Sequence, residues 1–455
     1  MSFFKANDMR GAFGVDFDLD TVWRVGRWLP SVLGVRRVLV GRDVRLTSEA
    51  VREALCRGLV ESGCEVDDMG LATTPMVYFF TAQMGYEASV QITASHNPAN
   101  HNGMKVSRAG AVPVGYASGL AVLEARVMSG ELPPAVVGGG VREVAYRDAF
   151  VAWLRERRGD LSGLDFAVDC SNGMAGLIIR DVLGDTPRYL NEEPDGRFPG
   201  HAPNPLEVEN CAQLMEAVTA GKLDAGVIFD GDADRVMFVD ETGAFVQPDY
   251  LIPVIARRFL GDEPGATVIH DIRTSRGAIE ALRRDGAVTV IDKVGHAFIK
   301  ATLRELKAVC GGELAGHYYF RDFFCCDSGE LAALMVLDTL AEAKRRGVTF
   351  SQMMAPIRCY ANSGEVNFTV LDQDKDAAIA AVMAALTPFG EPAAAYDFDG
   401  MRVEFDDWWV SIRKSNTEPY LRLIVEARDG AMLAARRALL EGAVMPFVTA
   451  EMKHA

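Results

Sequence analysis

Residues 37–70, RVLVGRDVRLTSEAVREALCRGLVESGCEVDDMG, decide the fold class of this chain. The first five residues are typical of a buried strand, and the last seven of a second strand. Between them Val51, Leu55 and Leu59 fall on one helical face, behind Ser48, a residue suited to cap a helix N-terminus. Strand, helix and strand in this order predict an α/β unit with a largely parallel or mixed sheet.

The same alternation continues through most of the chain and changes only near its end. The last ~95 residues contain closely spaced strand patterns with two helical segments, which is typical of an α+β domain. We therefore predict three consecutive α/β domains with mixed sheets and a C-terminal α+β domain. The predicted ranges are 1–148, 149–249, 250–358 and 359–455.

Length and charge exclude several classes of protein. A chain of 455 residues is too long for a single core, and its net charge of −16 argues against a globally basic nucleic-acid binder. No apolar run approaches the ~18 residues of a membrane span, and the first residues lack a leader pattern. The eight cysteines are scattered without a CxxC pair, which is typical of reduced thiols. The predicted location is cytoplasmic, with no membrane or nucleic-acid partner.

The segment QITASHNPANHNGMKV (91–106) places a serine just past the end of a predicted strand. Ligands of α/β folds bind at such strand ends. Ser95 is followed directly by His96, and Lys105 lies ten residues beyond it. A serine hydroxyl needs activating surroundings to act as a nucleophile. The alternative is an ordinary asparagine-rich turn.

The segment AGVIFDGDADRVMFVD (225–240) places Asp230, Asp232 and Asp234 between two apolar runs. Three carboxylates this close repel one another unless a cation lies among them, and oxygen ligands favour Mg²⁺. An EF-hand is excluded because Arg235 replaces the required glycine and the flanks are strand-like. Arg235 is suited to bind a phosphate oxygen. A solvated acidic turn is the alternative.

The segment VSIRKSNTEPYLRLIV (410–425) is a polar loop between two predicted strands. Its guanidinium, hydroxyl and amide groups, together with backbone N–H groups, can form an anion-binding site. The alternative is a hairpin whose hydroxyls have no function. The candidate phosphate ligands are Arg413, Ser415, Asn416, Thr417 and Arg422.

Two glycine-framed turns, DKVGHAFIK (292–300) and GGELAGHYYFRD (311–322), resemble a binding rim. The candidate residues are Lys293, His296, Glu313 and His317. Glu313 can accept hydrogen bonds from sugar hydroxyls, and His317 can transfer a proton. A serine, a hard-metal site, a cationic loop and a sugar-like rim together favour a reaction on a phosphorylated polyol, in which Ser95 carries the phosphoryl group.

These motifs carry a resemblance to a known family. The chain resembles the α-D-phosphohexomutases, and among them the bacterial phosphomannomutase/phosphoglucomutase group, over essentially its whole length. The matching motifs, in the order of the family, are FKANDMRG (4–11), GRDVR (41–45), TASHNP (93–98), HAPNPLEVEN (201–210), DGDADR (230–235), KVGHAFIK (293–300), GELAGH (312–317) and RKSNTEP (413–419).

The resemblance implies a fold with three α/β domains and a TATA-box-binding-like fourth domain around a central cleft. It implies reversible transfer of a phosphoryl group between C1 and C6 of a hexose phosphate, through phosphoserine and a hexose 1,6-bisphosphate. One Mg²⁺ per chain would be held by the three aspartates and Ser95, and the chain would be a monomer, with a dimer as the alternative. The implied catalytic residues are Ser95, His96, Lys105, Arg10, Arg235 and His317.

Three positions depart from the family pattern: Ala315 stands where a serine is usual, Asn7 where a tyrosine is usual and Asp292 where a threonine is common. We expect Ala315 to weaken sugar binding and Asn7 to loosen the seat of Arg10. The letters SNTEP and GHYYFRD favour mannose phosphates as substrates. The alternatives are a phosphoglucomutase with little mannose activity, a serine-dependent phosphatase and a sugar-phosphate-binding paralogue without turnover.

Overall fold

The structure is a computed structural model that describes residues 3–415 and 420–449 and the backbone of residues 453–454. Four sheets follow one another along this part of the chain. The first three combine parallel and antiparallel pairs, and the fourth is antiparallel. The predicted fold class, three α/β units followed by an α+β unit, is confirmed. The exact domain boundaries stay a prediction.

The first sheet has the strand order β1-β5-β4-β2-β3-β7, with β6 beside β5. The helix predicted behind Ser48 begins at that residue, but its cap is Thr47. The Ser48 hydroxyl instead donates to Asp43 at 2.5 Å. The elements are β1 (Met9–Ala12), α1 (Leu19–Leu33), β2 (Arg37–Arg42), α2 (Ser48–Glu61), β3 (Glu65–Leu71), α3 (Thr74–Gln83), β4 (Ala88–Ile92), β5 (His101–Arg108), β6 (Val112–Pro113), α4 (Leu120–Met128), β7 (Gly140–Glu143) and α5 (Arg147–Arg155).

The second and third sheets have the strand orders β12-β11-β10-β8-β9 and β14-β13-β15-β16-β17. The second contains β8 (Phe166–Asp169), α6 (Ile179–Leu183), β9 (Arg188–Leu190), α7 (Ala212–Gly221), β10 (Ala225–Phe229), β11 (Val236–Asp240) and β12 (Phe245–Val246). The third unit contains α8 (Ile252–Leu260), β13 (Thr267–Asp271), α9 (Arg276–Arg284), β14 (Val288–Asp292), α10 (His296–Leu306), β15 (Cys310–Gly312), β16 (Tyr318–Phe320), β17 (Cys326–Asp327), α11 (Gly329–Arg345) and α12 (Phe350–Met354).

The fourth sheet has the strand order β20-β21-β22-β23-β19-β24, with β18 beside β23. Its elements are β18 (Ala361–Asn362), β19 (Val366–Thr369), α13 (Lys375–Leu386), β20 (Ala394–Tyr396), β21 (Met401–Glu404), β22 (Trp408–Lys414), β23 (Tyr420–Ala427), α14 (Gly430–Val444) and β24 (Lys453–His454).

The apolar core shows how the four units are joined. One cluster of buried side chains extends from Leu39 to Ile357 and links the first three units, whereas the fourth sheet and its helices enclose a cluster of their own. Burial of apolar surface therefore ties the first three units together more strongly than it ties the fourth to them. Within the described part of the chain, none of the helices has the length and apolar character needed to cross a bilayer.

Asp249, at the junction of the second and third units, is a buried carboxyl with one hydrogen bond to backbone. It accepts from the Ser275 N–H at 2.7 Å, and it is 1% exposed. Burial is the main reason that the pKa of Asp249 rises to about 7. The hydrogen bond from Ser275 lowers this pKa, whereas the nearby charges of Glu426 and Asp271 raise it further. The folded state therefore binds this proton more tightly than the unfolded chain does.

Asp249 predicts a pH dependence of stability. Because its folded pKa lies above that of an unfolded aspartate (about 3.9), its contribution is fully present below pH ~4 and is lost as the pH rises to about 7. Asp249→Asn should flatten the pH dependence of the urea unfolding midpoint in this window. The exposed Asp262→Asn serves as control. Equal slopes in Asp249→Asn and in the control would contradict the prediction.

Candidate active site

Ser95 lies in a strained loop directly after β4. Its φ is +51°, in the left-handed region that non-glycine residues adopt rarely, and its side chain is buried. The backbone N–H bonds to the hydroxyl of Thr93 at 2.9 Å, and Arg45 donates to the Ser95 carbonyl at 2.7 Å. These contacts fix the hydroxyl, which donates to Oδ2 of Asp230 at 2.7 Å. The structure thus joins two loops that are 135 residues apart.

The three aspartates lie in the tight loop between the antiparallel strands β10 and β11. Ala233 has a φ of +65°, and this turn directs Asp230, Asp232 and Asp234 to one side, where all three are buried. One oxygen from each lies within 4.8 Å of the others. Lys105, on β5, contacts Oδ2 of Asp232 at 2.7 Å and also contacts Oδ2 of Asp234.

The ionisation of each aspartate in this cluster depends on the charges of its neighbours. Burial, and then the charges of Asp232 and Asp234, raise the pKa of Asp230 well above its usual range. Burial opposes ionisation of Asp232 too, but the charge and hydrogen bond of Lys105, with a hydrogen bond from Thr74, lower the pKa of Asp232. The cluster therefore favours an additional cation near Asp230.

The donor set fits Mg²⁺. Oδ1 of Asp232 and Oδ1 of Asp234 are buried and, among the described residues, have no hydrogen-bond partner. A buried carboxylate oxygen without a partner is costly unless a cation or water satisfies it. Hard oxygen ligands on three neighbouring aspartates, with the Ser95 hydroxyl beside them, are the kind of ligand set that Mg²⁺ prefers.

Arg235 begins a line of polar contacts that leads away from the aspartates. Its Nε donates to Nε2 of His317 at 2.9 Å, so this ring nitrogen is an acceptor and the proton of a neutral ring is on Nδ1. Nδ1 lies 2.7 Å from Oδ2 of Asp327, whose Oδ1 lies 2.7 Å from Nζ of Lys300. Asp234, His317 and Asp327 also lie close enough to share a metal, but both ring nitrogens of His317 already face protein partners.

Two further predicted catalytic residues, His96 and Arg10, border the serine. His96 Nδ1 lies 3.3 Å from the Ser95 hydroxyl, and burial, followed by the charge of Arg235, lowers the pKa of His96. Arg10 donates from Nε to Asp8 at 3.1 Å and from Nη1 to Asn97 at 2.9 Å. The seat of Arg10 is thus made by Asp8 and Asn97, and the expected loosening by Asn7 stays a prediction.

The loop after β14 and the loop after β15 meet through Glu313. One carboxylate oxygen of Glu313 accepts from the Gly295 N–H at 2.8 Å, the other accepts from the Tyr319 hydroxyl, and the side chain is 1% exposed. Glu313 is thus an anchor of the neighbouring loop, a role that the sequence did not predict. Lys293 is exposed at the rim of this loop.

His296 faces the same region as His317. The centroids of the two rings lie 6.3 Å apart. Neither ring nitrogen of His296 has a hydrogen-bond partner among the residues described. Burial, and then the charge of Lys300, lower the pKa of His296. The two histidines of the predicted rim are thus brought together, and His296 retains both its donor and its acceptor for a ligand.

The predicted phosphate loop joins β22 and β23. Arg413 and Arg422 are directly opposite in this antiparallel pair, so their side chains lie on one face of the sheet. Arg413 contacts Asp399 at 3.2 Å, and Arg422 donates to Glu365 at 2.7 Å. The Ser415 N–H bonds to the Tyr420 carbonyl at 2.9 Å. Two of the predicted ligands, Asn416 and Thr417, lie outside the described residues.

Comparison with protein families identifies the chain. Models of the three alpha/beta/alpha domains of phosphoglucomutase/phosphomannomutase match residues 1–127, 145–243 and 247–360, and the model of the C-terminal domain matches residues 365–441. The chain belongs to the α-D-phosphohexomutase family. It is an isomerase of the phosphohexomutase type, and the family is Mg²⁺-dependent. We refer below to the four matched regions as domains I to IV.

Relatives of this phosphohexomutase match it over nearly its full length. A phosphomannomutase from Salmonella montevideo is 37% identical over 448 residues, which cover 95% of this chain and 96% of the relative. Phosphohexose mutases from Xanthomonas campestris pv. campestris (strain B100) are 38% identical over 444 residues, with 95% and 97% covered. The crystal structure of a phosphoglucomutase/phosphomannomutase family protein from Burkholderia thailandensis has a TM-score of 0.88 at 28% identity and covers 98% of both chains.

Several side chains of the site escaped prediction from the sequence. Thr74, at the start of α3, donates its hydroxyl to Asp232 at 2.6 Å, and its N–H bonds to the Asp232 carbonyl at 3.0 Å. Asp327 contacts His317, and Lys300 in turn contacts Asp327. Lys300 follows His296 by four residues, a helical spacing that places both on one face of α10. That spacing was the one signal available in the sequence.

Proposed function

We propose that this phosphohexomutase interconverts mannose 1-phosphate and mannose 6-phosphate, with glucose phosphates as second substrates. The hydrogen bond of 2.7 Å between the buried Ser95 hydroxyl and Asp230 is the observation that carries the proposal. It puts a potential phosphoryl carrier beside a donor set suited to Mg²⁺. The phosphomannomutase from Salmonella montevideo supports mannose as the sugar.

The reaction has two transfers between the same pair of partners. In the first, the bond from phosphorus to the Ser95 oxygen breaks, a bond to the free sugar hydroxyl forms, and the hydroxyl proton passes to a base on the enzyme. The product is a hexose 1,6-bisphosphate. In the second transfer, its other phosphoryl group moves to Ser95, and the leaving sugar oxygen takes up a proton. The net result is an isomer of the substrate and a rephosphorylated serine.

The metal holders in this proposal are Asp230, Asp232, Asp234 and Ser95, with one Mg²⁺ per chain. Mg²⁺ bound there would supply stabilisation of the negative charge on the phosphoryl oxygens. Lys105 adds a fixed positive charge, because Asp232 and Asp234 raise its pKa against the effect of burial.

Charge and proton transfer are assigned to the side chains around the serine. Arg235 neutralises phosphoryl oxygens, and His317, which presents Nε2 as an acceptor, takes or returns the sugar proton when Arg235 turns to the phosphate. Arg10 and His96 border the Ser95 loop and orient the incoming hydroxyl. Because Ser95 and His317 are buried and the other three side chains are only partly exposed, water competes poorly with the sugar for the phosphoryl group.

Recognition of the rest of the substrate is assigned to the third and fourth domains. Lys293, His296 and Glu313 border the sugar. The non-reacting phosphate is assigned to Arg413, Ser415, Asn416, Thr417 and Arg422. We propose that the protein is a cytoplasmic monomer whose partners are small-molecule hexose phosphates.

The test is turnover of mannose 1-phosphate against glucose 1-phosphate, with Mg²⁺ and a trace of the matching 1,6-bisphosphate. We expect mannose turnover equal to or faster than glucose turnover, in spite of Ala315. The lost hydroxyl is worth only about one hydrogen bond, ~0.5–1.5 kcal/mol. Turnover of glucose phosphate alone would overturn mannose as the substrate. Absence of turnover, with Ser95 phosphorylated, would overturn the proposed hexose substrates.

A further inference from the structure

The loop of residues 293–295, between β14 and α10, offers three consecutive backbone N–H groups to carboxylates. Successive N–H groups of a turn form a concave site for an anion. Here the protein's own acidic side chains occupy it, and they come from three parts of the chain. The pairs are Lys293 N–H to Asp292 at 2.7 Å, Val294 N–H to Asp399 at 2.8 Å and Gly295 N–H to Glu313 at 2.8 Å.

These contacts explain one departure from the family pattern. Asp292 is the carboxylate that stands where a threonine is common, and it accepts from the next N–H of its own loop. It therefore shapes the loop by a local hydrogen bond. Asp399 differs from the other two acceptors, because it belongs to domain IV and reaches across a domain boundary.

The turn that carries Asp399 is packed directly against the phosphate loop. It joins β20 to β21, and Gly400 follows with a φ of +73°. A Cβ atom on Gly400 would lie 2.5 Å from Cβ of Arg413, so a larger side chain would displace one of the two. The backbone of this turn therefore fixes where the Asp399 carboxylate meets the Arg413 guanidinium.

The Asp399 carboxylate contacts both sides of the domain boundary at once. It lies 3.2 and 3.3 Å from Nη2 of Arg413, while its Oδ2 holds the Val294 N–H. Arg413 is 3% exposed, and its Nε has no hydrogen-bond partner within the described parts of the chain. Asp399 thus orients the guanidinium through Nη2, and Nε remains available for another anion.

We propose that Asp399 is a positioning residue that couples the phosphate-binding Arg413 of domain IV to the loop of residues 293–295 of domain III. We call this loop the sugar loop, because it leads into the proposed sugar ligand His296 at the start of α10. The inference rests on the proposed function, because Arg413 is assigned to the substrate phosphate there. Because one carboxylate contacts both, binding of a phosphate at Arg413 and correct placement of the sugar loop each favour the other. The coupling therefore acts on substrates whose phosphate binds to Arg413.

Two substitutions separate the two contacts. Asp399→Asn keeps an oxygen for the Val294 N–H but turns a neutral amide towards Arg413, whereas Asp399→Ala removes both contacts. Asp397→Asn is the matched control, since Asp397 is exposed on the same segment two residues earlier. Each variant is measured in two ways: hydrogen–deuterium exchange of residues 292–298 without ligand, and KM and kcat for mannose 6-phosphate.

For Asp399→Ala we expect exchange at 292–298 to accelerate by about fivefold or more. We also expect KM to rise about tenfold, with kcat changed by less than about threefold. Asp399→Asn should leave exchange near the wild-type rate and still raise KM. Exchange in Asp399→Ala equal to that in Asp397→Asn would overturn the coupling. The exchange measurement needs no turnover, so failure of the inference can be distinguished from failure of mannose phosphates as substrates.

Discussion

Replacing Ser95 by alanine is expected to lower kcat by at least about three orders of magnitude. The hydroxyl is the proposed site of the covalent phosphoryl group, and the described residues around it offer no second hydroxyl bonded to Asp230. The fold should persist, because alanine keeps the Cβ and the backbone contacts with Thr93 and Arg45. The measurement is turnover of hexose phosphate, together with phosphate content by intact-protein mass spectrometry.

The exposed Ser129→Ala is the control for this substitution. It should retain wild-type turnover and phosphate content, while Ser95→Ala should lack the covalent phosphate. A Ser95→Ala enzyme with more than about a tenth of wild-type kcat would show that phosphate is carried elsewhere. A phosphorylated but inactive variant would equally remove Ser95 from this role.

Asp232→Asn is expected to weaken Mg²⁺ binding and lower kcat together, each by about 10- to 100-fold. One oxygen of Asp232 holds Lys105 and Thr74, and the other is buried without a partner among the described residues. An asparagine side chain has a single oxygen, so it can either accept from Lys105 and Thr74 or act as a metal ligand at the other position. It also removes one negative charge from the cluster. Mg²⁺ affinity is measured by calorimetry on the purified protein, independently of turnover.

The exposed Asp262→Asn removes the same charge far from the cluster and should change neither quantity. If Asp232→Asn bound Mg²⁺ as tightly as this control does, the assignment of the aspartate loop as the metal site would be wrong. If it lost affinity but kept kcat at saturating Mg²⁺, Asp232 would serve only to bind the metal, and the expected fall in kcat would be wrong.

The sequence indicated those parts of the candidate site whose residues lie close together along the chain. Ser95, the aspartates of 230–234 and the strands that flank them were recognisable, because motif and strand pattern lie within one stretch of residues. Contacts made between domains were not recognisable in this way. Thr74 and Asp232 are 158 residues apart, and Val294 and Asp399 are 105 apart. No period or spacing in one sequence reports such pairs.

The effect of a single departure from the family pattern is equally hard to locate from the sequence. Asn7 was expected to affect Arg10, its neighbour in the motif, but Arg10 is held by Asp8 and Asn97. The Nδ2 of Asn7 instead lies 3.1 Å from where a Cβ on Gly295 would be, next to the loop that carries His296. Its effect is therefore expected at the sugar loop, which only the three-dimensional arrangement identifies.

The contact of Thr74 with Asp232 limits how this enzyme can be recombined with its relatives. Domain I supplies the serine, the threonine and the lysine that surround the aspartates of domain II. A chimera that exchanges domain I alone would have to reproduce all three side chains in register with a foreign aspartate loop. Exchanges that move the first three domains as one block keep this register and also the contact between Arg235 and His317, so we expect functional recombination breakpoints to fall after residue 360.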